Sequence, residues 1–138
     1  MITQGLQVLC EQEGWRDTVY YDTETPPNPT IWYGRNLMVY PFTEAEGRAW
    51  TQVRCTALEE ELSLYSWYQG LDPVRQSVIG NMAYNMGVKG VCGFSGMIAN
   101  LGIKYFAGAA EEMLASTWAD QVPTRAKYLA EVMRNGAY

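Results

Sequence analysis

Residues 14–36 constrain this chain most, because they hold its one convincing β region in a background of helical periodicity. Val19-Tyr20-Tyr21 has the β-branched and aromatic character of a strand, and Thr30-Ile31-Trp32-Tyr33-Gly34-Arg35-Asn36 runs on in the same character after a turn-rich segment. Between them Asp22-Thr23 opens the turn, and Pro26, Pro27 and Pro29 remove three backbone donors. The connection is therefore expected to be a stiff loop, not a two-residue hairpin turn.

Helices flank this region. Leu6, Leu9, Cys10 and Glu13 fall on one face of a helix over residues 3–13, with Gln4, Gln7 and Glu11 outward and Gly14 as the stop. Thr43-Glu44-Ala45-Glu46 is a capping box, and Ala49, Trp50, Val53, Ala57, Leu58 and Leu62 continue one helix to about residue 63. Asp72-Pro73 opens another, with Val74, Val78, Ile79, Met82 and Met86 on its core face and Gly87 at its end. A glycine-punctuated link over 87–93 precedes three more helices, marked by Met97, Ile98 and Leu101, by Phe106, Ala110, Met113 and Leu114, and by Tyr128, Leu129 and Val132 after Pro123. No internal repeat or flexible linker divides the 138 residues, so one domain of mostly helical α+β class is expected.

Composition narrows the chemistry. Histidine is absent, which removes Ser-His and Cys-His nucleophile systems and histidine-bearing zinc sites and leaves carboxylates as the acid/base groups. Cys10, Cys55 and Cys92 are odd in number and widely spaced, the pattern of buried free thiols; neither a metal site nor a cofactor is expected. Net charge is −5, and residues 1–69 hold four Lys+Arg against ten Asp+Glu, whereas residues 70–138 hold six against five. No basic stripe exists to neutralise phosphates, so nucleic acid is not an expected partner. No apolar run reaches the ~20 residues of a membrane span, and Met1-Ile2-Thr3-Gln4 lacks a signal peptide's basic start and apolar core. The expectation is a chain made in the cytoplasm and not inserted in membrane.

Three polar groups stand out by position: Glu13 at a helix end, Asp22 on the next strand and Thr30 on the returning one. Two carboxylates and a hydroxyl converging on one point match what a glycosidase needs, namely an acid, a base and a positioned water. A surface carboxylate, a turn former and a strand residue would be the plain structural reading of the same three. Trp15, Trp50, Trp67 and Trp118 are expected to pack in the core or between lobes, and Glu59-Glu60-Glu61 to form a solvated helix face.

These residues carry a resemblance. Glu13-Gly14, Asp22 after eight residues, and Thr30-Ile31 followed by Gly34 are similar to the Glu, Asp and Thr set of the T-even phage lysozyme family, glycoside hydrolase family twenty-four. Later landmarks extend the likeness: Leu71-Asp72-Pro73-Val74-Arg75, Met86-Gly87, Gly90-Val91, Gly93-Phe94-Ser95, Trp118 and Pro123-Thr124-Arg125-Ala126-Lys127. The resemblance implies a small β-containing lobe over about 14–42, a connecting helix over 43–63, a helical lobe over 64–138 joined by the N-terminal helix, and a cleft between the lobes. It also implies a muramidase that cuts peptidoglycan glycan strands at the β-1,4 bond between N-acetylmuramic acid and N-acetylglucosamine, ordinarily with inversion. Glu13 would be the general acid, Asp22 the base or electrostatic partner of the attacking water, and Thr30 the hydroxyl placing that water. Arg125 resembles the family's arginine beside the acid, and Tyr84 and Asn85 match its aromatic and amide substrate-binding positions. The setting implied is a phage endolysin released through a holin, or a virion-associated enzyme, acting on the periplasmic wall as a monomer.

Two departures sit beside the site. Trp32 stands where the family commonly has glycine, and Arg35 where it commonly has histidine. On strand parity Trp32 should share a side with Thr30, where its indole either narrows the cleft or offers substrate a stacking face. Arg35 should point away but place a fixed positive charge near Glu13 that would lower the pKa of the acid. The alternative function is a lysozyme-fold protein that has lost catalysis and binds a glycan or a protein.

Overall fold

The computed structural model describes residues 3–138, so Met1 and Ile2, the start of the segment judged against a signal peptide, lie outside the described residues. The class is α+β and mostly helical. Two compact units are present, residues 1–49 and 50–138. The first contains α1 (Thr3–Glu13) and strands β1 (Tyr20–Tyr21), β2 (Pro29–Ile31) and β3 (Arg35–Asn36). Helix α2 (Glu44–Leu62) starts in the first unit and ends in the second, which continues with α3 (Ser66–Gln69), α4 (Pro73–Cys92), α5 (Ser95–Gly102), α6 (Phe106–Leu114), α7 (Thr117–Gln121) and α8 (Pro123–Asn135).

In the first unit the strands form an antiparallel sheet in the order β1-β2-β3, with Tyr20 opposite Thr30 and Thr30 opposite Asn36. The segment 30–36, expected as one strand, is broken by a turn. Trp32 and Gly34 both take positive φ, +58° and +76°, which reverses the chain and makes 35–36 a third strand. Gly14, at φ +70°, ends α1 as expected, its N–H donating to the Cys10 carbonyl at 3.0 Å. The inward face assigned to α1 is not buried: Leu6 and Leu9 are 53% and 49% exposed, and among the described residues of this unit no apolar side chain is buried.

The capping box is formed in full, Thr43 N–H donating to Glu46 and Glu46 N–H to the Thr43 hydroxyl. Only Leu58 and Leu62 of α2 are buried, while Trp50 and Val53 are exposed. All buried apolar side chains among the described residues lie between Leu58 and Met133, where α6 packs on α5 and α8, and α8 also on α4 and α7. Asp72 caps α4 by accepting from the Arg75 N–H. The link expected over 87–93 is instead helical beyond a kink at Gly87, φ +78°. Two short helices escaped the periodicity, α3 and α7, the latter capped by Ser116 accepting from the Ala119 N–H. The three cysteines are free but partly buried, not enclosed. No helix among the described residues is long and apolar enough to cross a membrane.

Candidate active site

The first unit assembles its polar groups through backbone, not through packing. Residues 13–16 lie beside the turn at 32–34 because Arg16 N–H donates to the Trp32 carbonyl at 3.1 Å and Trp32 N–H donates back to the Arg16 carbonyl at 2.9 Å. Glu13 thereby rests on Gly34. A methyl group at Gly34 would lie 2.9 Å from Oε2 of Glu13, so the lack of a side chain there, together with the positive φ, makes the seat for that carboxylate. Glu13 is exposed and makes no hydrogen bond or ion pair with a described residue.

Asp22 is the opposite case. Its Oδ1 accepts from the backbone N–H of Asn28 at 2.8 Å and of Glu24 at 3.2 Å, and its Oδ2 accepts from the Asn28 side-chain amide at 3.1 Å. The Asn28 backbone N–H foremost, with the Asn28 amide and Glu24 N–H adding, holds the Asp22 carboxyl below its ordinary value despite partial desolvation. Asn28 also takes the Thr30 hydroxyl proton on its carbonyl at 3.1 Å, and accepts there from Asp22 N–H at 3.0 Å. Thr30, 4% exposed, is a buried polar residue in the middle strand. With its proton engaged, its oxygen remains an acceptor for a water hydrogen. Asn28 therefore joins the second carboxylate to the hydroxyl. Sequence reasoning passed over it as one more residue of a proline-rich turn.

Trp32 does not follow strand parity, because it is outside β2 and its φ lies in the left-handed region. Its indole is partly buried, 5.4 Å edge-on from Phe42 and 5.3 Å from the Arg35 guanidinium. The parity expected between Trp32 and Thr30 is corrected on that ground. Arg35 is an anchor. Its fork meets both Glu46 oxygens, Nε donates to the Tyr40 carbonyl at 2.8 Å, Nη2 to the Pro41 carbonyl at 2.7 Å, and its face lies 4.7 Å from the Phe42 ring. The guanidinium pulls the Glu46 carboxyl down to about 2, with Thr43 N–H and hydroxyl adding. This positive charge, expected to bear on Glu13, is matched by Glu46.

The second unit brings Tyr84 and Arg125 together on a cavity of about 450 Å³ that Asn81, Glu59, Ser77 and Tyr138 also line. Tyr84 is 40% exposed and stands edge-on to Trp50 at 6.4 Å. Asn85 is not among the lining residues; its Oδ1 accepts from the indole N–H of Trp118 at 2.8 Å, which satisfies a buried donor. Of the four tryptophans expected in packing roles, Trp118 is buried and Trp67 half-buried against the core, but Trp15 and Trp50 are 57% and 61% exposed.

The two carboxylates thus differ in their surroundings, Asp22 fixed by three N–H donors and Glu13 exposed without a hydrogen-bond partner among the described residues. No protein-family model matches the chain. Among the curated proteins it does match are two from Dictyostelium discoideum. The protein named "Probable T4-type lysozyme 1" is 34% identical over 84 residues, 61% of this chain and 49% of its own length. "Probable T4-type lysozyme 2" is 31% identical over the same shares. The chain spans about half the length of the curated relatives it matches. What this chain resembles, on its own motifs and on these relatives, is the T4-type lysozymes.

Proposed function

We propose that this protein is a glycoside hydrolase of T4 lysozyme type that cleaves peptidoglycan glycan strands between N-acetylmuramic acid and N-acetylglucosamine. The observation that carries the reading is the contrast between Glu13, seated on Gly34 without a polar partner among the described residues, and Asp22, tied by three N–H donors. Glu13 gives its proton to the glycosidic oxygen as the bond from C1 to that oxygen breaks. A water held at the Thr30 hydroxyl attacks C1 from the opposite face and loses its proton to bulk water beside the Asp22 carboxylate, while Glu13 regains a proton from solvent, so one water is consumed and the anomer inverts. A carboxyl held below its ordinary value is a weak base, so Asp22 acts mainly as a fixed negative charge facing the positive ring carbon. Arg125 and Tyr84 are proposed to contact glycan from the second unit. The proposed setting is a bacterial wall lysed by an endolysin or a virion-associated enzyme.

Mass spectrometry of the soluble products from purified Gram-negative peptidoglycan tests this. Muropeptides ending in reducing N-acetylmuramic acid are expected. Products ending in reducing N-acetylglucosamine, or no release at all, overturn it.

A further inference from the structure

Trp15 and Tyr33 are aromatic side chains that the proposed chemistry has not used. Their rings lie 5.3 Å apart at 56°, and they are 57% and 43% exposed, so the pair presents two tilted faces to solvent, not a contact sealed inside the unit. Their place in the chain gives them meaning. Trp15 follows Glu13 by two residues, which limits their Cα separation to roughly 7 Å. Tyr33 precedes Gly34, the residue on which the Glu13 carboxylate rests. The paired hydrogen bonds between Arg16 and Trp32 tie the two segments together, and Arg16 is pinned again by its guanidinium 5.1 Å above the Tyr20 ring in β1. Two exposed aromatic rings are thus held by backbone at a fixed offset from an unpaired carboxylate. Aromatic rings accept the apolar C–H face of a sugar, and rigid rings lose little freedom on binding.

We propose that Trp15 and Tyr33 form a stacking platform for one pyranose ring of an N-acetylated glycan strand, next to the bond offered to Glu13. This rests on the hydrolase reading for its substrate class and adds residues to that site. The 56° between the rings gives two differently directed faces, one for the sugar ring and one for the acetamido methyl.

The test separates the platform from the hydrolase. The N-acetylglucosamine tetramer is titrated by calorimetry into the Glu13→Gln protein and into Glu13→Gln carrying Trp15→Ala, Tyr33→Ala or both, each checked by circular dichroism. Peptidoglycan kinetics are measured on the same aromatic variants with Glu13 intact. Each alanine is expected to weaken tetramer binding about tenfold, the scale of one lost aromatic contact, and to raise KM with kcat near wild type. Trp15→Phe and Tyr33→Phe should keep most of the affinity. Tyr40→Ala, which removes another exposed ring of this unit, should leave it unchanged. Tetramer affinity and KM unaltered in the double alanine variant overturn the platform while hydrolysis by the parent leaves the enzyme reading standing. Tetramer binding lost on Trp15→Ala in a parent that releases no reducing ends overturns the enzyme and supports the platform. A parent that neither cleaves nor binds the tetramer overturns both.

Discussion

Two arginine clamps are built alike in the two units, and what surrounds them differs. Arg75 meets the carboxylate of Asp72, the carbonyls of Met133 and Arg134, and the face of Phe106 at 3.6 Å. Arg35 meets the carboxylate of Glu46, the carbonyls of Tyr40 and Pro41, and the face of Phe42. Arg75 lies in the unit that holds the buried apolar core; among the described residues of Arg35's unit no apolar side chain is buried, and Met38, Val39, Tyr40 and Phe42 are each more than half exposed. The second unit keeps its shape by apolar burial, whose cost of disruption is spread over many contacts. The first keeps it by a few directed bonds, so removing one should displace the residues that those bonds position.

The largest stability effect belongs to the second unit. Met82→Ala, at a fully buried position, should cost about 2–5 kcal/mol by chemical denaturation, with activity preserved at temperatures where the variant is folded. Arg75→Met should cost less, about 1–3 kcal/mol, and again spare activity. For Arg35→Met the pattern should reverse: kcat falls roughly 10²-fold through misplacement of the turn that seats Glu13, with a smaller change in Tm than Met82→Ala gives. Arg48→Ala breaks an ion pair on the same helix as Glu46 but 80% and 79% exposed, and should change neither quantity. Equal kcat loss in Arg35→Met and Arg75→Met would break the comparison.

Acid probes the clamp of the first unit. Because the folded value of Glu46 lies near 2 and its ordinary value is 4.5, the pair's contribution is complete above about pH 4.5 and fades as pH falls toward 2. Tm should therefore drop through that window, and less steeply in Glu46→Gln. An identical slope in the variant would mean that the pair does not hold the first unit.

The difference between the units also explains what the sequence revealed. Asp72-Pro73, Thr43…Glu46, Gly14 and the apolar face of α4 announce themselves because caps, stops and core periodicity are local signals. Trp32 hid its conformation: a bulky aromatic does not advertise φ +58°, although the family's preference for glycine at that place was the clue, since glycine takes that φ without strain. The same preference marks the hidden third strand. The bridging role of Asn28, the seat that Gly34 makes for Glu13 and the pairing of Glu46 with Arg35 were missed because each depends on partners that come together only when the chain folds back on itself. The inward face given to Leu6 and Leu9 failed for another reason, since helical spacing identifies a stripe but not whether anything covers it.

A modest effect is expected at Trp32. Glycine should be more stable there than alanine by about 1–2 kcal/mol, the reverse of the usual order, because both lose the indole but only glycine relieves the backbone. Alanine equal to or better than glycine would show that position 32 carries no strain.

The central claim is that Glu13 supplies the proton. Initial rates of reducing-end release from peptidoglycan, compared between the wild type and Glu13→Gln at matched Tm, test it most directly. The account predicts a loss of about 10²–10⁴-fold with Tm unchanged. A Glu13→Gln protein that cleaves within a few fold of wild type would contradict it.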